Sequence, residues 1–113
     1  MQRDLNLIHA ITASISERQG LALIIDHGTG QDYHIIIEIL DYYGARTTAD
    51  YLREGMLACG GKIPMDELKR AKLALKYEAA LDRIDRTYKY IPMEEAVECF
   101  VCWMQNNEEA VLE

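Results

Sequence analysis

The sequence predicts a mainly α-helical fold: one small domain of about five helices that ends in an antiparallel helical hairpin, with at most one short strand. Apolar residues recur at three- and four-residue intervals along most of the chain. Glycine, alone or doubled, follows three of these periodic segments. Two near copies, Ile63-Pro64-Met65-Asp66-Glu67 and Ile91-Pro92-Met93-Glu94-Glu95, carry the chemistry of a helix start. A proline in the first turn gives up an amide hydrogen the helix could not use, and the acids after it favour the positive end of the dipole.

The first segment, about residues 3–18, places Leu5, Ile8, Ile11 and Ile15 on one helical face and stops near Gly20. Leu21 to Ile25 is a short apolar run that suits a strand or a buried helical turn equally, and Asp26-His27-Gly28-Thr29-Gly30 breaks it. From Gln31 to Tyr43, the stripe Tyr33, Ile36, Leu40 and Tyr43 argues for a helix, although the β-branched residues at 35, 36, 37 and 39 would also suit a strand. Asp32, Glu38 and Asp41 fall largely opposite that stripe, and Gly44 is a natural stop. The third helix is expected to start at Thr47 or Thr48 with Asp50 completing a capping box, and to end at Gly60-Gly61. Residues 1–62 are thus expected to form one helical half, and 63–113 the hairpin. The hairpin's first helix, about 64–90, carries Ala74, Tyr77, Leu81, Ile84, Tyr88 and Ile91 at heptad spacing; its second, about 92–112, answers with Met93, Val97, Phe100, Met104 and Val111. Such a seam would equally join two copies as a homodimer.

The chain has 113 residues, half of them hydrophobic, so a core is affordable. No window approaches about 20 uninterrupted apolar residues, which argues against a membrane span. Nothing at the start resembles a secretory leader, and three cysteines make an odd set, so reduced thiols in the cytoplasm are expected. The formal charge is −7, divided as −4 over residues 1–60, +3 over 61–90 and −6 over 91–113. An acidic chain repels nucleic-acid phosphates and favours basic protein surfaces.

No catalytic constellation stands out. Cys99-Phe100-Val101-Cys102 has half the spacing of a zinc site, but Cys59, His9, His27 and His34 supply no second pair. Its mid-helix position points instead to buried small hydrophobes. The Gly28-Thr29-Gly30 turn lacks the Lys and hydroxyl of a phosphate loop. Asp26, His27, Asp32 and His34 are close in sequence, yet positions 32 and 34 project about 200° apart on a helix. Neither metal nor cofactor is expected. Lys69, Lys72, Lys76 and Arg83 share about 60° of helical arc. They read as partners for the acidic last helix or, alternatively, as a nucleic-acid stripe.

Arg3-Asp4-Leu5-Asn6-Leu7-Ile8 at the head of an amphipathic helix, and Tyr33-His34-Ile35 running to Gly44, resemble a small bacterial and phage family of unknown function with a winged-helix-like fold. The resemblance covers the first 45 residues or so; it implies a mobile-element source and helix-turn-helix ancestry for the first two segments. The helix that would read DNA, however, has no Lys or Arg and carries Asp32, Glu38 and Asp41. The expected function is therefore non-enzymatic: a phage or mobile-element inhibitor or regulator, for example an anti-CRISPR protein, docking an acidic surface on a basic site of a host protein. The acidic candidates are Asp32, Glu38, Asp41, Glu94, Glu95, Glu98, Glu108 and Glu109. A helix-turn-helix DNA-binding regulator is the alternative, and a small metal or thiol enzyme the third reading.

Overall fold

The computed structural model describes residues 2–17, 19–88 and 95–107. Among them the protein is mainly α: α1 (Gln2–Ser16), α2 (Gly20–Asp26), α3 (Tyr33–Tyr43), α4 (Arg46–Ala58), α5 (Glu67–Lys76), α6 (Glu78–Thr87) and α7 (Glu95–Asn106), with a 3₁₀ turn over Gly28–Asp32 before α3. No strand occurs among the described residues, so the apolar runs at 21–25 and 35–39 are both helical. The second Ile-Pro-Met start, the last heptad position Ile91, and Met93 and Val111 lie outside the described residues.

α2 and α3 supply the centre of the core. Leu21, Ile24 and Ile25 of α2 and Tyr33, Ile36 and Leu40 of α3 are buried in one core with Ile8 and Ile11 from α1, Leu52 from α4, Leu81 from α6 and Phe100 from α7. Complete burial of such a side chain contributes roughly 1.5–3 kcal/mol. Gly44 closes α3 in the left-handed conformation at φ 85°, which is why the chain can turn at once into α4.

Four local expectations change. The long helix over 64–90 is broken: α5 ends at Lys76, and α6 begins at Glu78. Tyr77 still donates to the Leu73 carbonyl, at 3.1 Å, and accepts from Leu81 N–H, at 3.0 Å, so the ladder bends without opening into a loop. The bend lets both pieces lie on α2. The α5 start also shifts. Asp66 is its N-cap, accepting from Leu68 N–H, and Pro64 stands before the helix.

The C-terminal helices do not pair as the predicted hairpin. Among the described residues, α7 packs on α1 and α3 and more lightly on α4. The heptad seam is satisfied elsewhere: α6 lies on α2 and α4, with the Tyr88 ring 5.5 Å from that of Tyr51. On its side, α7 brings Phe100 to within 4.9 Å of the Tyr43 ring.

The fourth change concerns how α4 begins. It starts at Arg46, and no side chain of its own caps it. The Glu95 carboxylate does so from the start of α7, accepting from Thr47 N–H (3.2 Å), Thr48 N–H (2.8 Å) and the Thr48 hydroxyl (2.6 Å). Asp85 of α6 plays the same part for α2, accepting from Leu21 N–H at 3.1 Å and from the Tyr51 hydroxyl. Both caps come from far along the chain, so local sequence could not announce them.

Three inward phenols are held neutral. Burial, with help from neighbouring groups, raises Tyr33; burial and then the hydrogen bond to Asp85 raise Tyr51; burial and then Asp4 raise Tyr43. Tyr88, bonded to Glu54 and partly desolvated, is pushed up to about 12. Unfolded phenols ionise near 10. A raised native value means this stability is fully present below pH 10 and drains away as pH climbs through the native values. The phenolate absorbance of these four residues is expected to rise in one steep step with the loss of helical circular dichroism, over and above the contribution of exposed phenols such as Tyr42. Ionisation of all the phenols with the helices intact would contradict this.

Candidate functional site

An open groove of about 410 Å³ lies where α1, α3 and α7 meet. Ile35, Glu38, Ile39, Tyr42 and Tyr43 of α3 form its floor and one wall. Arg3 and Asp4 of α1 and Trp103 of α7 complete it. The sequence explains why α3 can do this. Besides the inward stripe of Tyr33, Ile36 and Leu40, it carries a second apolar set, Ile35, Ile39 and Tyr42, and a helix apolar on two faces needs a second cover. α1 and α7 supply only part of it, leaving Tyr42 66% and Ile35 37% exposed.

Three rings meet at this corner. Tyr43 stands edge-to-face to Tyr42 and to Trp103, with centroids 4.9 and 5.3 Å apart, and Tyr42 lies 5.9 Å from Trp103. The Tyr43 hydroxyl donates to Asp4 at 2.8 Å, fixing that carboxylate at one end of the groove. Arg3 approaches the other oxygen of Asp4 at 3.5 Å, a loose contact for a side chain 71% exposed. Glu38 is exposed and makes no ion pair or hydrogen bond among the described residues. The groove thus joins aromatic faces to carboxylate charge, a combination suited to cations.

The other acidic candidates separate into distinct environments. Asp41 is paired with Arg53, which also holds Asp50. Glu95 faces inward as the α4 cap. Asp32 is half-buried beside the 3₁₀ turn, and Glu98 is exposed on α7. Glu94, Glu108 and Glu109 lie outside the described residues. Of the described candidates, Glu38 alone lines the groove; Asp4, Tyr42 and Trp103 were not anticipated. The doubly apolar pattern of α3 was the available signal for them.

Lys69, Lys72 and Lys76 are exposed on α5, and Arg83 is exposed on α6. Among the described residues α7 packs on α1, α3 and α4, and its acids Glu95 and Glu98 make no ion pair with these bases. Leu68 and Leu75, each 74% exposed, share the outer face of α5 with them.

The Asp26–His34 stretch has a structural part. His34 Nε2 accepts from Ile63 N–H at 3.1 Å, tying the loop before α5 to the head of α3. No cluster of three or more metal-ligating side chains occurs among the described residues.

The cysteines correct one expectation. Cys59 is buried and Cys99 half-buried, but Cys102 is exposed. Burial raises the Cys59 thiol; burial and then nearby Glu95 raise Cys99. Under native conditions a disulfide reagent such as Ellman's is expected to modify Cys102 first, Cys99 more slowly, and Cys59 only on unfolding. Equal rates at all three would contradict this burial order.

The chain matches no family model, no curated protein and no solved structure.

Proposed function

We propose that this protein is a non-catalytic interaction module whose α1–α3–α7 face receives a basic segment of a partner protein. The observation that carries the reading is the groove itself, in which exposed aromatic surface and the unpaired Glu38 carboxylate occur together. Aromatic residues left partly exposed in a concave site are characteristic anchors of protein interfaces. The net charge of −7 would speed encounter with a basic partner, an effect that salt suppresses. In its simplest form the module acts by occupancy, as an inhibitor or regulator covering a basic site of a host protein.

The test is affinity capture at low and high ionic strength, with the native chain and with Glu38→Lys. The native chain is expected to retain a basic protein at low salt, and Glu38→Lys to lose it. Capture of the same protein by both chains, with no dependence on salt, would remove the reading.

A second reading rests on α5, where three lysines are exposed and make no ion pair among the described residues. If that face binds duplex DNA, Lys69→Glu with Lys72→Glu should abolish a salt-sensitive gel shift.

A further inference from the structure

The groove at α1, α3 and α7 is built for one kind of side chain. We propose that it takes an arginine of the partner, whose guanidinium lies against the Tyr42 and Trp103 rings and pairs with Glu38. This deepens the reading above and rests on it.

Chemistry narrows the occupant. Asp4 and Glu38 repel a phosphate or a carboxylate. A purely apolar group would desolvate both carboxylates and give them nothing in return. A cation satisfies them, and aromatic faces attract a cation further. Between the two cationic side chains, arginine fits better: its planar fork stacks on rings and bonds a carboxylate through two N–H groups, which an ammonium cannot do. At about 410 Å³ the groove falls at the small end of ligand clefts, of about 300–1,000 Å³, a size for one or two side chains.

The chain's own Arg3 supports this assignment. It lines the same groove and reaches Asp4 at 3.5 Å while remaining 71% exposed, so a guanidinium already visits the acidic end without filling the site. Arg3 is therefore a built-in competitor, both as a like charge and as the occupant of Asp4. Removing it should tighten binding, an effect that damage to the fold would not produce.

The protein carries a single tryptophan, Trp103, so its fluorescence reports this site. The full chain would be titrated with acetyl-Gly-Arg-Gly-amide and with the same peptide bearing lysine or citrulline, the neutral analogue of arginine. The arginine peptide is expected to shift Trp103 emission saturably, with lysine several-fold weaker and citrulline at least about ten-fold weaker. Glu38→Gln and Tyr42→Ala, both exposed positions, should each weaken the arginine peptide about three- to ten-fold with circular dichroism unchanged. Arg3→Gln should strengthen it about two- to five-fold.

Equal binding of arginine and citrulline peptides, no saturable shift, or weakening by Arg3→Gln would overturn the proposal. If the native chain captures a basic protein that Glu38→Lys loses, yet the arginine peptide gives no shift, the arginine assignment fails and the interaction module stands. A specific arginine shift with no protein captured leaves the pocket assignment in place and removes the module.

Discussion

Gly30→Ala is expected to destabilise the protein by about 3 kcal/mol or more, a large share of the roughly 5–15 kcal/mol that holds a domain of this kind folded. A methyl group built at Gly30 would lie 1.9 Å from the Ile25 carbonyl oxygen and 2.8 Å from its carbon. Those atoms are backbone, at the last turn of the core helix α2, and cannot swing aside as a side chain can. On its other side the methyl would meet the buried Arg70 side chain, 2.9 Å from Nε. The collision would force apart the turn that joins α2 to α3. Gly44→Ala is the comparison. Space there is open, but φ is 85°, so only backbone strain of about 1–2 kcal/mol is expected. Thermal and urea unfolding followed by circular dichroism would measure both. A Gly30→Ala protein within 1 kcal/mol of the native one would mean that the turn follows another path.

Asp85→Ala is the second large effect, at about 2–4 kcal/mol. Its carboxylate accepts from the first turn of α2 and from Tyr51, whose side chain is only 6% exposed. Loss of a helix cap costs roughly 0.5–2 kcal/mol, and an orphaned buried hydroxyl roughly 1–3 kcal/mol. Tyr51→Phe removes the orphan from the other side. The double variant should therefore be less destabilised than the two single changes added together. Urea midpoints at constant slope would show it, and strict additivity would mean that Asp85 and Tyr51 do not depend on each other.

Much of the fold is local chemistry and could be read from the chain. Ile8 and Ile11, Ile36 and Leu40, and Ala74 and Leu81 are buried as their spacing requires, and Gly44 stops α3 where the sequence expects it. The departures are tertiary. The bend at Tyr77 has no glycine or proline to mark it; it exists because α5 and α6 both find room on α2. Thr47, Thr48 and Asp50 have the pattern of a capping box, yet Thr48 donates to Glu95 and Asp50 pairs with Arg53. A motif states what a side chain can do, and the packing decides which option is taken. The same holds for the groove: Glu38 was visible as an outward acid with Tyr42 one turn along the same helix, whereas Asp4 and Trp103 join them only because α1 and α7 close on α3.

The two carboxylates that cap distant helices also bear on synthesis. Asp85 serves an amide 64 positions earlier in the chain, and Glu95 serves one 47 positions earlier. As the polypeptide leaves the ribosome, at about 5–20 residues per second, the first sixty residues emerge seconds before either partner arrives. Their apolar faces must wait uncovered during that interval. Nascent chains stalled short of residue 85 should accordingly recruit chaperones, while chains released at full length should need little help.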